Sequence, residues 1–250
     1  MFSVTDYDKL QQIMEESPDK KELLTRLLES HRMEVSAISH EIRNPLTLVY
    51  STLQLIEAQH PEVLEFHHWD SMHQDIEYMS QLLDELSSYN NGEKLSLART
   101  DTTVFLKTLV LSFASSILDT NIEFTSRIAS DLPSIIVDPV KLKQTLLNLL
   151  SNAKDAVLSL SDSESPSIRL DTEYNSHAVH ISISDNGSGI DTKDIPFIFD
   201  PFVTYKKNGT GLGLAITRRI ITAHGGSIQV KSTLGKGTVF TVSLPVQKNP

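Results

Sequence analysis

Ser39-His40-Glu41-Ile42-Arg43-Asn44-Pro45-Leu46-Thr47 lies inside a longer run whose periodicity decides the fold of the N-terminal part. Leu24, Leu28, His31, Val35, Ile38, Ile42, Pro45, Val49, Thr52 and Ile56 are spaced by alternating fours and threes, a heptad stripe in which most positions are apolar. Pro61 helps to end that helix. A second stripe, Trp69, Met72, Ile76, Met79, Leu83 and Leu86, follows at once. Two such helices joined by a short loop predict an antiparallel hairpin. A hairpin buries little alone, so a homodimer forming a four-helix bundle is the economical solution. With Ile38 and Ile42 at the d and a positions, His40 falls at f and faces solvent. Asn44 lies one turn on along the same exposed side, Glu41 is adjacent, and Pro45 is expected to bend the helix just past His40. His67, His68 and His73 read as surface residues, since no carboxylate or thiol cluster supports a metal site.

Working outward, the chain of 250 residues allows one large or two modest domains, and its 39% hydrophobic and 22% charged composition is globular. It has no cysteine, which excludes a disulfide frame and thiolate metal sites. No apolar run approaches the roughly 18 residues of a membrane span. Met1-Phe2-Ser3-Val4-Thr5-Asp6 lacks the basic start and apolar core of a signal peptide. The expectation is a cytoplasmic protein without direct membrane insertion. Charge is uneven: residues 1–92 carry net −11 and residues 93–250 net +1, together the −10 of the chain. The acidity argues against nucleic acid as a partner of the first part. The change of texture places a boundary near the turn signal Asn90-Asn91-Gly92.

Beyond that boundary the pattern is α/β. Residues 122–124, 135–137, 168–170, 179–183, 228–230 and 239–242 read as strands, and residues 102–117, 139–160 and 212–223 as helices. Strict βαβ alternation is missing, which favours a two-layer sandwich over a doubly wound sheet.

Three motifs carry chemistry. On helix 139–160, Leu142, Leu146, Leu149, Leu150 and Ala153 make an apolar face. Gln144, Asn148 and Asn152 recur every four residues along another edge, where amide oxygens can hold a hydrated Mg²⁺ together with phosphates. Asp185-Asn186-Gly187-Ser188-Gly189-Ile190 follows a strand; its glycines allow close approach of a planar ligand, and its aspartate can accept from an exocyclic amine. Asn208-Gly209-Thr210-Gly211-Leu212-Gly213-Leu214 opens a helix as an anion-binding nest. It is neither a dinucleotide fingerprint nor a P-loop. Between the last two, Phe197 to Lys207 joins hydrophobic anchors to paired lysines, as suits a hinged lid whose lysines reach a triphosphate.

In this order and spacing the motifs resemble those of bacterial two-component sensor histidine kinases, over roughly residues 31–245. Ser39 to Thr47 resembles the H box, Asn148 to Ala153 the N box, and Asp185 to Gly189 the G1 box. Phe199-Asp200-Pro201-Phe202 resembles the F box, Gly209 to Leu214 the G2 box, and Gly235-Lys236-Gly237-Thr238-Val239-Phe240 the trailing glycine motif. The nearest subgroup in motif is that of the sporulation and nitrogen-control kinases. The resemblance implies an N-terminal helical extension (1–30), a dimerisation and histidine-phosphotransfer domain (31–92) and a catalytic domain of the gyrase, Hsp90 and MutL ATP-binding type (93–250).

It further implies autophosphorylation of His40 from Mg-ATP and transfer to an aspartate of a response-regulator receiver domain, with possible phosphatase activity assisted by Asn44. Asn152 would hold Mg²⁺, and Asp185 would read adenine. Asn148, Lys154, Gly187, Gly189, Ile190, Lys206, Gly209, Thr210, Gly211, Leu212, Gly213 and Thr238 would complete the nucleotide site. A neutral imidazole is a competent nucleophile near neutral pH, and Glu41 can orient it and stabilise the cation that forms. The position three after Asn152, often basic in the family, is Asp155, so phosphate contact falls to Lys154, Lys206 or Lys207. Residues 1–30 are too short for a folded sensor, which implies a separate sensor or inhibitor protein, or an upstream segment. Three rival readings remain. An ATP hydrolase or clamp of the gyrase class would need a carboxylate where Asn148 stands. A non-catalytic docking module would leave the glycines and Asn152 without purpose. A serine kinase would leave the His40 helix unexplained.

Overall fold

The structure, a computed structural model, describes residues 13, 17–91, 94–159, 165–206 and 209–246, the side chains of residues 28, 29, 31 and 32 excepted. Gly92, Lys207, Asn208, most of residues 1–16 and the side chains of Leu28 and His31, all named above, lie outside the described residues. The chain divides into two compact units, Met1–Asn91 and Gly92–Pro250.

The first unit is a helical hairpin. Helix α1 spans Pro18–Gln59, a 3₁₀ turn spans Pro61–Glu65, and α2 spans Trp69–Asn91. Pro18 opens α1 at a position where its missing N–H costs nothing. The helix runs unbroken past residue 30 and through Pro45. Leu46, Leu53, Val63, Trp69, Ile76 and Leu83 form the hairpin core, with Tyr50 and Ile56 packed against it. Ser39 is fully buried and its hydroxyl donates to the Val35 carbonyl at 2.8 Å. This seam differs from the expected stripe by one residue: Ile38, Ile42 and Val49 stay 54%, 49% and 48% exposed. Met72 and Met79 of α2 are likewise exposed. The reason is that α1 carries two adjacent apolar lines, and the one through Leu46 and Leu53 meets α2. Helical phase brings the second line and the two methionines to one side of the hairpin.

His73 also departs from expectation. It is largely covered, edge-on to Tyr50 with ring centroids 5.7 Å apart. Its Nε2 sits 2.9 Å from Glu57 Oε1, at ion-pair distance but off hydrogen-bond alignment. Trp69 Nε1 donates to that same carboxylate oxygen at 2.7 Å, so the aromatic anchor of α2 draws His73 inward.

The second unit is a two-layer sandwich. A five-stranded sheet has the order β2-β4-β5-β7-β6, with β2 at Glu123–Arg127, β4 at Ser167–Tyr174, β5 at Ala178–Asp185, β6 at Ser227–Thr233 and β7 at Gly237–Pro245. Only β2 and β4 are parallel. A short ribbon, β1 (Ala98–Thr100) with β3 (Ile135–Val137), stands apart. Burial alternates along β5 and β7, so one sheet face is apolar and the other carries His180, Ser182, Thr241 and Ser243. Against the apolar face lie α3 (Thr102–Ser115), α4 (Pro139–Leu158) and α5 (Gly213–Ala223). Leu142, Leu146, Leu149 and Leu150 of α4 are fully buried against Ile168, Leu170, Ile181 and Ile183 of the sheet.

Helix α4 is also fixed at its start. Asp138 caps it, taking the Val140 and Lys141 N–H groups on Oδ1, each at 3.1 Å, and the Ser96 N–H on Oδ2 at 2.8 Å. The Asp138 N–H itself donates to His224 Nε2 at 2.8 Å, which places the ring proton on Nδ1, 2.7 Å from the Ile220 carbonyl. Burial raises the Asp138 carboxyl, but the N–H donors outweigh it and hold the group below the ordinary carboxylate value of 3.8. Among the described residues no helix is long and apolar enough to cross a membrane.

Candidate functional site

In the first unit, His40, Glu41 and Asn44 are all exposed on α1. His40 lies about 180° to 200° around the helix from Ile38, Ile42 and Val49, at the 100° per residue of an α-helix. A partner covering that apolar line would leave the imidazole open. The neighbouring Ser39 is buried in the seam and Arg43 pairs with Asp84 of α2 at 2.6 Å, so the backbone that carries His40 is anchored on both sides.

In the second unit, one edge of α4 meets three motifs in succession. At Asn148, the amide Nδ2 donates to Thr217 Oγ1 of α5 at 2.9 Å. Its Oδ1 lies 2.7 Å from where a Cβ on Gly213 would stand, so only glycine lets the start of α5 come so close. One turn on, Asn152 Oδ1 accepts from Lys206 Nζ at 2.7 Å. One turn further, the Ala156 carbonyl accepts from the Ser188 N–H at 3.3 Å, and a Cβ on Gly187 would meet the Ala156 backbone at 2.5 Å. The four-residue spacing thus sets the helix opening, the lid lysine and the loop after β5 along an edge about 12 Å long at 1.5 Å per residue.

Asp185 ends β5 beside this edge. Its Oδ1 accepts from the Gly187 N–H at 2.9 Å and from the Thr238 N–H at 3.2 Å. Both bonds fall on one oxygen, so the other remains an acceptor for a ligand donor. Burial pushes the carboxyl above the usual carboxylate range, and the two N–H groups offset part of that. Behind it, Ser232 Oγ accepts from the Ile190 N–H at 2.8 Å, donates to the Gly237 carbonyl at 3.0 Å and lies 2.9 Å from Thr238 Oγ1. Gly189, at φ +66°, passes so close to the Thr233 carbonyl that a Cβ would fall 2.1 Å from it.

The lid has a tight neck. The Phe202 N–H donates to the Gly211 carbonyl at 2.9 Å, with Phe202 at φ +64° and Gly211 at +71°. Phe199 anchors its near side against Phe240, ring centroids 6.4 Å apart, with the Arg218 guanidinium 5.8 Å above its ring. Thr210 Oγ1 accepts from the buried Leu212 N–H at 3.3 Å. Gly209 donates to the Lys206 carbonyl at 3.2 Å. Helix α5 opens with no side-chain cap, so its first N–H groups are available to an anion.

Lys154 does not join the site. Its Nζ donates to the Ser116 carbonyl at 3.2 Å, closing the end of α3, because two residues along a helix from Asn152 turn it to the far side. Thr217 and Ser232 support the site and escaped the sequence reading. Each is a common hydroxyl residue whose partner is remote in sequence, and no local signal marks it.

The N-terminal part matches the family described as "His Kinase A (phospho-acceptor) domain" over residues 30–94. Residues 137–248 match "Histidine kinase-, DNA gyrase B-, and HSP90-like ATPase". The chain is 31% identical to the signal transduction histidine-protein kinase AtoS of Escherichia coli K12, across 91% of this chain and 38% of AtoS. It is 30% identical to sporulation kinase E of Bacillus subtilis 168, across 95% of this chain and 32% of that kinase. The chain therefore spans well under two thirds of these curated relatives. Among solved structures, the nucleotide-free catalytic domain of histidine kinase ThkA superposes with a TM-score of 0.53 at 30% identity, covering 60% of this chain and 96% of that domain.

Proposed function

Since this chain belongs to the two-component sensor histidine kinase family, we propose that its second unit binds Mg-ATP and its first unit receives the γ-phosphoryl group on His40. The observation that carries the reading is the α4 edge, which gathers Asn148, Asn152, Lys206, Gly213 and the loop after Asp185 into one strip. Asp185 accepts from the adenine amine through its open oxygen, and Thr238 and Ile190 border the base. The glycines from Gly209 to Gly213 and the uncapped start of α5 receive phosphate oxygens.

A divalent cation fits Asn152, since its amide oxygen already faces a positive group, the Lys206 ammonium. Magnesium, when bound, neutralises phosphate charge and favours departure of ADP. His40 attacks through the lone pair of one ring nitrogen. A nitrogen–phosphorus bond forms, and the bond from the γ-phosphorus to the bridging oxygen breaks with its electrons leaving on ADP. Glu41 steadies the proton on the other nitrogen and the charge that develops on the ring. The phosphoryl group then passes to a receiver-domain aspartate, and Asn44 orients water for the reverse, dephosphorylating reaction. The chain acts as a homodimer in the cytoplasm, joined through the Ile38, Ile42 and Val49 line, and takes its signal from a separate sensor protein.

The gyrase-type hydrolase reading is disfavoured because Asn148 is an amide, already committed to Thr217, and cannot serve as a base. Incubation with Mg²⁺ and γ-labelled ATP is expected to give an acid-labile, base-stable label. His40→Gln is expected to abolish that label while leaving ATP binding intact; undiminished labelling of the variant would refute the assignment.

A further inference from the structure

The position after the N box where the family often has a base is acidic here, and it is engaged. Lys206 Nζ donates to Asp155 Oδ2 at 2.6 Å and to Asn152 Oδ1 at 2.7 Å. Asn152 and Asp155 are three residues apart on α4 and so share one face. A base at 155 would repel Lys206; the carboxylate draws it onto the amide oxygen instead. The Lys206 N–H also reaches Thr204 Oγ1 at 3.2 Å, which fixes the backbone from which the side chain starts.

On the reading that this is a Mg-nucleotide site, we propose that Lys206 is a built-in counter-ion of the Asn152 amide oxygen, and that Asp155 is the positioning residue holding it there until the metal nucleotide displaces it. An ammonium N–H and a divalent cation compete for the same lone pairs. On exchange, Lys206 gives up Asn152 and turns its freed donor to the phosphates, while Asp155 keeps it within reach. The pair is 44% and 50% exposed, which makes the exchange readily reversible.

The direction of the effect separates this role from simple charge. Were Asp155 only a negative charge near the metal, Asp155→Asn would raise the magnesium requirement. As the holder of a competitor, its loss lowers it. Retention of a labelled, non-hydrolysable ATP analogue is measured on the whole chain over a magnesium series. For Asp155→Asn the half-maximal magnesium concentration is expected to fall about two- to fivefold, the scale of an exposed ion pair, and Asp155→Glu is expected to restore the original value. Hydrogen exchange without nucleotide or metal gives a second readout: Tyr205, Lys206 and Gly209 amides exchange faster in Asp155→Asn. Intact analogue binding with an unchanged or raised magnesium requirement overturns the competitor role alone, as does unchanged exchange at those amides. Failure of the parent chain to bind the analogue at any magnesium concentration overturns the nucleotide-site reading and this inference together.

Discussion

The two units solve the burial problem differently. The sandwich hides its own apolar residues: Leu142, Leu146, Leu149, Leu150, Ile168 and Leu170 have no exposed surface. The hairpin never reaches that state. Its six core residues each keep 6% to 9% exposure, and a line of isoleucine, valine and methionine remains outside. A sheet covered by helices closes around a core, whereas two helices share a single seam. The chemistry is divided the same way. The unit with the closed core holds the cradle of glycines, amides and carboxylates, and the unit with the open face presents the exposed His40 imidazole.

That contrast can be broken at its strongest point first. Leu146→Ala is expected to destabilise the sandwich by about 2–5 kcal/mol, the range for a fully buried leucine. Calorimetry should show the loss in one transition while the helical signal of the hairpin persists; a small loss spread over both units would mean that they fold as one body. Next, Ile42→Lys puts a charge on the open line. In a single chain this half-exposed change costs little, within about 0.5 kcal/mol. In a dimer closed over that line it removes an isoleucine worth about 1.5–3 kcal/mol of burial. Sedimentation equilibrium is expected to show weakened self-association with an unaltered sandwich melt; an unmoved association constant would place the dimer contact elsewhere.

The smallest effect sharpens the comparison inside the sandwich. Asp138→Ala removes the α4 cap and is expected to cost about 1–2 kcal/mol. Because the folded carboxyl is depressed below 3.8, its contribution is fully present above that value and fades as pH falls through the folded one. The difference in stability between parent and variant should therefore shrink in strong acid. A difference that grows on acidification would contradict the cap.

Most elements were legible because strands β4 to β7 alternate and each core helix repeats at its own period. Ribbon strand β1 was not, since Ala98-Arg99-Thr100 is short and carries no alternation. The hairpin seam was misread by one residue because Ser39, a polar residue, occupies it while Ile38 and Ile42 flank it. Local periodicity cannot rank two adjoining apolar lines; only the partner helix does. In the site, the glycines and asparagines stood out through their spacing. The pairing of Asn148 with Thr217, 69 residues away, and the Ser232 hub depend on tertiary contact alone. Asp155 stands out in the sequence as a departure from the family pattern, but its pairing with Lys206, 51 residues away, depends on the fold.

The neck of the lid has one more consequence. Phe202 is held in the left-handed region, at a cost of about 1–3 kcal/mol for a non-glycine residue, and the Gly211 carbonyl takes its N–H. The span between them is thus pinched off like a drawstring bag, able to change in length while the cord stays tied. For such a closed span, doubling the length adds only about 0.6 kcal/mol of closure entropy. The span can therefore gain or lose residues at little cost to the helix that follows it, provided that Lys206, Gly209 and Thr210 keep their bonds.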